Sequence, residues 1–121
     1  MEYKETVIFD FDGVIHSYSS GWMGVTTIPD PPVPGIREAI NEIRAAGYKV
    51  VILSTRCNQR GGIGAIIDYL KKHDIIVDDV IRNKVPAILQ IDDRAICFDG
   101  DAGGLLKKIK EFTPWNKKNI S

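Results

Sequence analysis

Cysteine and net charge are both scarce in this chain of 121 residues. Its two cysteines, Cys57 and Cys97, lie far apart and form no CxxC pair, so we expect free thiols in a reducing compartment. Sixteen acidic residues balance sixteen lysines and arginines, which leaves no global charge to attract nucleic acid or an anionic membrane. A nucleic-acid partner would therefore need a local basic patch.

Long apolar runs are absent as well. No run is long enough to span a bilayer, and the polar start, residues 1–5, lacks the apolar stretch of a signal peptide. We therefore expect a cytoplasmic protein with no membrane contact. The length fits one domain, and the apolar and charged contents of 44% and 26% are ordinary for a globular fold with its own core.

Strand and helix patterns alternate along the chain. Apolar segments predict strands at 4–9, 48–53, 77–81, 87–91 and 95–98. Asp78 and Asp79 weaken the third of these segments. Apolar residues at helical spacing predict helices after Pro34-Gly35, after Gly61-Gly62 and near 105–112. This order indicates βαβ units, and we predict an α/β fold: a Rossmann-like three-layer sandwich with a mostly parallel five-stranded sheet.

Two carboxylates two residues apart follow the first predicted strand. Asp10 and Asp12 come after an apolar run and are followed by Gly13. Alternate residues of a strand point the same way, so the two negative charges crowd each other. Such crowding is unfavourable without a cation, and hard divalent cations such as Mg²⁺ prefer carboxylate oxygens. The pair predicts metal-assisted phosphate chemistry, and a simple turn at Asp-Gly is the alternative.

Further polar side chains follow the later strands. They are Ser54, Thr55 and Arg56 after the second strand, Lys84 before the fourth, and Asp92 with Asp93 after it. A parallel sheet would bring these groups to one edge, where such folds bind ligands. Each also has a structural alternative: Ser54 as a turn or cap hydroxyl, Lys84 as a solvated lysine, and the acidic pair as loop residues. Arg56 could contact substrate or pair with a surface carboxylate.

This order of motifs resembles the haloacid dehalogenase superfamily of phosphohydrolases over almost the whole chain. That family has DxD after the first strand, Ser or Thr after the second, then Lys, then an acidic pair after the fourth. The resemblance implies that Asp10 is the nucleophile that forms an aspartyl-phosphate. It implies that Asp12 protonates the leaving oxygen and then deprotonates the attacking water. Mg²⁺ would be held by Asp10, by Asp12 through its backbone carbonyl, and by Asp92 with Asp93.

The resemblance also assigns groups to the transferred phosphoryl group. Ser54 would donate a hydrogen bond to a phosphoryl oxygen, and Thr55 would contribute its backbone amide. Thr55 is also a rival for the role of Ser54. Arg56 lies close enough in sequence to be a further substrate-binding candidate. Lys84 would offset the negative charge of the nucleophile and the phosphate.

No cap domain is expected in this chain. The helix and strand that follow residues 13–33 leave room there only for a flap loop, and residues 113–121 form a polar tail. Such an uncapped member is similar to the phosphatase modules of polynucleotide kinase-phosphatases, and we expect its site to be open unless the flap or a homo-oligomer covers it. We expect a phosphorylated substrate, either a small molecule or a nucleic-acid end. His16 and Trp22 in the flap either pack or contact substrate.

Two other functions compete with hydrolysis. A phospho-accepting signalling domain has a similar length and parallel sheet, but it needs its acceptor aspartate after a middle strand. This chain has Ser54-Thr55-Arg56-Cys57 at that place. A non-catalytic phosphate-binding module is the second alternative, although such a module would not need the acid/base Asp12.

Overall fold

Four parallel strands form the sheet of this protein, whose computed structural model describes residues 3–117. They are β1 (Thr6–Phe9), β2 (Lys49–Leu53), β3 (Asp79–Ile81) and β4 (Leu89–Ile91), in the order β3-β2-β1-β4. The register pairs Phe9 with Ile52 on one side and with Ile91 on the other. The parallel α/β fold predicted from the sequence is thereby confirmed, with β1 inside the sheet.

Within residues 3–117, three helices connect or follow the strands. They are α1 (Ile36–Ala45), α2 (Gly62–Lys72) and α3 (Leu105–Glu111), with single 3₁₀ turns at Thr55–Asn58, Ala102–Gly104 and Trp115–Lys117. α1 and α2 begin as predicted, directly after Gly35 and Gly61, which take the left-handed conformation at φ values of 83° and 81°. None of these helices combines the length and apolar character needed to cross a bilayer.

The structure corrects the predicted count of five strands. Residues 95–98 form no strand, and the sheet within the described residues has four. β4 is an edge strand, and the side chains beyond it are exposed, with Phe98 at 59%. A short apolar run becomes a strand only when a neighbour completes its hydrogen bonds. The three-layer arrangement is not confirmed either, because α3 has no buried residue.

The core lies around β1 and β2. Ile8 and Phe9 of β1 and Val50 and Ile52 of β2 are almost completely buried, and Ile40 of α1 packs into the same core. Continuous burial of both strands explains their uninterrupted apolar sequence. Asp10 and Asp12 therefore follow a strand that is almost completely buried.

Asp78 supports β3 although its charge weakened the strand prediction. It lies just before β3, and its carboxylate accepts hydrogen bonds from the backbone N–H of Val50 at 2.7 Å and from Arg44 at 3.1 and 3.2 Å. The carboxylate thus ties the start of β3 to β2 and to α1. An aspartate at this position stabilises the strand because its oxygens are paired rather than buried alone.

Candidate functional site

Strands β1, β2 and β4 end at one edge of the sheet, because all of them run in the same direction. β1 leads into Asp10, β2 into Ser54 and β4 into Asp92. The backbone N–H of Asp10 donates to the carbonyl of Ile91 at 2.9 Å, which extends the pairing of β1 with β4 beyond the strands. Ligands of parallel sheets bind beyond such carboxyl ends. This edge is therefore the candidate site.

An acidic cluster occupies the point where β1 and β4 end. Asp10, Asp92 and Asp93 each place a carboxylate oxygen within 4.8 Å of the other two. The side chain of Asp93 is only 3% exposed, and Asp92 accepts the backbone N–H of Arg94 at 2.8 Å. Burial, the hydrogen bond with Asp93 and the charge of Asp92 raise the pKa of Asp10 to about 8. Three such oxygens could hold a divalent cation, which would remove their mutual repulsion.

Gly13 allows the loop after β1 to approach this cluster. Its φ is 86°, and a β-carbon there would lie 2.1 Å from Oδ2 of Asp93 and 2.6 Å from its Cγ. Any other residue would push the Asp93 carboxylate aside. The Asp-Gly turn and the acidic cluster are therefore parts of one arrangement.

The carboxylate of Asp12 lies in a separate hydrogen-bonded group. Its Oδ1 accepts from Nδ1 of His16 at 2.8 Å and from Nη2 of Arg56 at 3.1 Å, and its Oδ2 accepts from Nε of Arg56 at 2.8 Å. Burial raises the pKa of Asp12, but the hydrogen bonds from His16 and Arg56 outweigh it, so the net pKa lies below its usual value. The structure therefore brings Asp10, Asp92 and Asp93 together and keeps the Asp12 side chain apart.

His16 of the flap is completely buried rather than open to substrate. Its Nε2 accepts the backbone N–H of Asp30 at 3.2 Å, so the proton of the neutral ring lies on Nδ1 and is donated to Asp12. The ring packs edge-on against Tyr69, whose hydroxyl donates to the carbonyl of Asp30 at 2.9 Å. Sequence reasoning missed Asp30 and Tyr69, because neither follows a strand or belongs to a motif.

Arg56 is completely buried and joins the flap to the loop after β2. Besides its two bonds to Asp12, its Nη1 donates to the carbonyls of Gly24 and Val25, both at 2.7 Å. Its guanidinium carbon lies 4.5 Å from the centre of the Trp22 ring, and Trp22 remains 48% exposed. The partner of Arg56 is thus a site carboxylate instead of a surface one. Substrate binding by Arg56 stays a prediction.

The other predicted phosphate-binding groups differ in exposure. Ser54 is buried, and its Oγ accepts the backbone N–H of Arg56 at 3.2 Å as the cap of the 3₁₀ turn Thr55–Asn58. This is the cap role considered from the sequence, and the hydroxyl proton can still be donated. Thr55 is exposed at the same edge. Lys84 is exposed in the loop between β3 and β4, and no ion pair engages it within residues 3–117.

The C-terminal segment contacts the loop after β1, and the sequence did not indicate this contact. The indole N–H of Trp115 donates to the carbonyl of Gly13 at 2.7 Å, and Asn116 donates to the carbonyl of Ser17 at 3.4 Å. The predicted polar tail, 113–121, therefore contacts this loop through residues 115 and 116, and its last four residues lie outside the described part. The sequence has a local cluster of lysines in this region, and its last member, Lys118, is among those four; the others are Lys107, Lys108, Lys110 and Lys117.

Comparison with known proteins gives structural neighbours only. No protein-family model and no curated protein matches the chain. A protein from Vibrio cholerae is similar, with a TM-score of 0.52 and 23% identity over 76% of this chain and 82% of that chain. Also similar is a chain of the Pnkp1/Rnl/Hen1 complex, with a TM-score of 0.56 and 18% identity over 96% of this chain. A chain of the Pnkp1/Rnl/Hen1 RNA repair complex has a TM-score of 0.56 and 20% identity over 91%.

These identities show a shared fold and nothing more. The chain spans 37% and 32% of the two chains from the Pnkp1/Rnl/Hen1 complexes. The activity and partners of those longer proteins therefore enter only as proposals.

Proposed function

We propose that this chain is a Mg²⁺-dependent phosphomonoester hydrolase of the haloacid dehalogenase type, an uncapped domain that acts through an aspartyl-phosphate. The observation that carries the proposal is that two carboxylates close in sequence have different partners. Asp10 joins Asp92 and Asp93 in an acidic cluster, whereas Asp12, two residues on, is held apart by Arg56. A nucleophile beside a cation and a separate proton-transfer group are what this reaction requires.

Asp10 is the nucleophile in this proposal. One of its oxygens forms a bond to phosphorus while the bond from phosphorus to the leaving-group oxygen breaks. Mg²⁺ bound by Asp10, Asp92, Asp93 and the backbone carbonyl of Asp12 would supply the positive charge that the crowded carboxylates and the phosphoryl oxygens need. The raised pKa of Asp10 fits this assignment, because its charged, nucleophilic form is favoured only beside a positive charge.

Asp12 transfers protons in both halves of the reaction. It gives a proton to the leaving oxygen, and it later takes one from the water that attacks the aspartyl-phosphate, so its protonation state is restored. Its lowered pKa favours the charged form before substrate binds, so Asp12 must take up a proton from water before it can protonate the leaving oxygen. Esters with leaving groups that need little protonation, such as aryl phosphates, should therefore react faster than alkyl phosphates.

Three further groups would bind or balance the phosphoryl group. The Ser54 hydroxyl and the Thr55 backbone amide lie at the end of β2 and would donate hydrogen bonds to phosphoryl oxygens. Lys84 would balance the negative charge that builds up during transfer. Its freedom from ion pairs in the described part of the chain leaves its amine available for that role.

The substrate is a phosphate monoester, and we propose either a small molecule or a nucleic-acid end. Structural similarity to chains of an RNA repair complex supports the second class. Lysines of α3 and the segment after it, Lys107, Lys108, Lys110 and Lys117, would provide the local basic patch that a neutral chain needs for such a partner.

Turnover of an aryl phosphate with Mg²⁺ tests the proposal. The wild-type protein should hydrolyse it, EDTA should abolish the activity, and added Mg²⁺ should restore it. Asp10→Asn should be inactive, while Asp68→Asn, which changes an exposed aspartate of α2, should match the wild type. A pure wild-type protein without turnover on a broad panel of phosphate esters would favour the signalling or phosphate-binding alternatives.

A further inference from the structure

The guanidinium of Arg56 connects two parts of the candidate site that the backbone leaves separate. Its Nε and Nη2 donate to the two oxygens of Asp12, and its Nη1 donates to the carbonyls of Gly24 and Val25 in the flap. These four hydrogen bonds use most of the five N–H groups of an arginine. One side chain therefore fixes both the acid/base carboxylate and the middle of the flap.

The backbone of Arg56 is itself rigidly placed. Its N–H is capped by Ser54, and its carbonyl lies so close to α2 that a β-carbon on Gly62 would approach the oxygen to 1.7 Å. The neighbouring Cys57 is completely buried. Arg56 is thus anchored by β2 and α2, and the flap, whose residues 19–20, 22–23 and 26–27 are exposed, is the part being held.

Trp22 covers the guanidinium from the flap side. The distance of 4.5 Å from the ring centre to the guanidinium carbon is a cation–π contact, and it helps to leave Arg56 with no exposed surface. Hydrogen bonds between ions are stronger where water is excluded. The half-exposed Trp22 therefore affects Asp12 indirectly, because it excludes water from the hydrogen bonds between Arg56 and Asp12.

We propose that Arg56 is a positioning residue that fixes the orientation of Asp12 and links it to the position of the flap. This inference rests on the proposed function for the role of Asp12, but the link between Arg56 and the flap stands on contacts alone. A lysine cannot replace the arginine, because a single ammonium lacks the planar fork that contacts both Asp12 oxygens and the flap carbonyls together.

The first test is hydrogen exchange of the flap in Arg56→Lys, Arg56→Met and the matched control Arg60→Lys. Arg60 is an exposed arginine four residues further along the same loop. Loss of the charge-assisted bonds should speed exchange of the backbone amides in residues 17–29 by roughly tenfold, with the strands unchanged. Arg60→Lys should exchange like the wild type. Equal exchange in all variants would overturn the proposal.

The second test is kinetic and separates positioning from general stability. In folded Arg56→Lys, kcat should fall by about a hundredfold with little change in KM, as expected for a misplaced catalytic group. In the first phosphoryl transfer, followed by rapid acid quench, the loss should be larger for an alkyl phosphate than for an aryl phosphate, because the alkyl leaving group depends more on protonation by Asp12, whereas hydrolysis of the aspartyl-phosphate is common to both esters. An equal loss for both esters would contradict a role through Asp12.

Trp22→Leu keeps the test decisive if the Arg56 variants do not fold. Trp22 is half-exposed, so its loss leaves the core intact, but water then reaches the guanidinium. Flap exchange should rise above the wild-type rate, and wild-type exchange in folded Trp22→Leu would overturn the proposal. An inactive wild-type protein would contradict the proposed function alone, because exchange of the flap is measured without any substrate.

Discussion

Asp93 lies against the backbone of Gly13, so that a β-carbon on Gly13 would be 2.1 Å from the Asp93 Oδ2. The glycine follows Asp12 by one position, whereas Asp93 follows the last strand of the sheet. The contact therefore locks the loop after β1 onto the acidic cluster at the end of β4. It explains in physical terms why a glycine follows the two aspartates.

We expect Gly13→Ala to weaken metal binding through this contact. Alanine would displace the Asp93 carboxylate and strain a backbone at φ 86°, so the affinity for Mg²⁺ or Mn²⁺ measured by calorimetry should fall at least about tenfold. Gly21→Ala is the matched control, because Gly21 also has a positive φ, 72°, with open space where the β-carbon would lie. A loss of metal affinity as large in Gly21→Ala would attribute the effect to backbone strain instead.

The acidic cluster should make the metal-free protein less stable as pH rises. The pKa of Asp10 is about 8 in the fold and near 3.8 in the unfolded chain, so between these values the folded protein holds a proton that the unfolded chain has lost. The free energy of unfolding should therefore decrease from pH 5 to pH 8. In urea denaturation with EDTA, the wild type should show this decrease, and Asp10→Asn should show a smaller one. Added Mg²⁺ should reduce the decrease in the wild type. An identical slope in both proteins would remove Asp10 as the cause.

Asp78→Ala should destabilise the fold without a specific effect on the site. It removes the acceptor for the Val50 N–H and for Arg44, a loss we expect to cost about 1–3 kcal/mol in urea denaturation. Asp79→Ala is the control, because the Asp79 carboxylate accepts only the adjacent Val80 N–H among the described residues. Similar losses in both variants would show that the link to Arg44 and Val50 contributes nothing.

The charge of Asp78 also predicts an acid-induced loss of stability. Burial raises its pKa, but the bond from Arg44 and the Val50 N–H outweigh burial and lower it. A carboxyl group with a lowered folded pKa stabilises the protein above its unfolded pKa, and this contribution disappears as pH falls through the folded value. Asp78→Asn should therefore flatten the loss of stability in the acid range.

The positions of the main elements were predictable because their signals are local. The apolar runs of β1 and β2 and the helical spacing after Gly35 and Gly61 lie within short stretches of sequence, and the structure confirms them. Convergence of Asp10 with Asp92 and Asp93 also followed from parallel strands ending at one edge. The run at 95–98 misled because a short apolar segment does not reveal whether a neighbouring strand exists to pair with it.

The pairing of Asp12 with Arg56 could not be predicted, because it depends on tertiary structure. The two residues are 44 positions apart, and the bidentate contact requires the register of β1 against β2 together with the path of the flap. Burial of His16 is similarly set by Asp30 and Tyr69, which carry no recognisable sequence signal. Composition gives the residue types but does not show which residues each charged side chain contacts in the fold.

Intact-mass spectrometry after rapid acid quench with an aryl phosphate tests the central claim, that Asp10 and Asp12 have different tasks. Asp12→Asn should accept the phosphoryl group on Asp10 and then accumulate the phosphorylated protein, because no base activates water, with turnover reduced on the order of a hundred- to ten-thousand-fold. Asp10→Asn should never gain the mass of a phosphoryl group. A phosphorylated Asp10→Asn protein, or normal turnover by Asp12→Asn, would contradict the account.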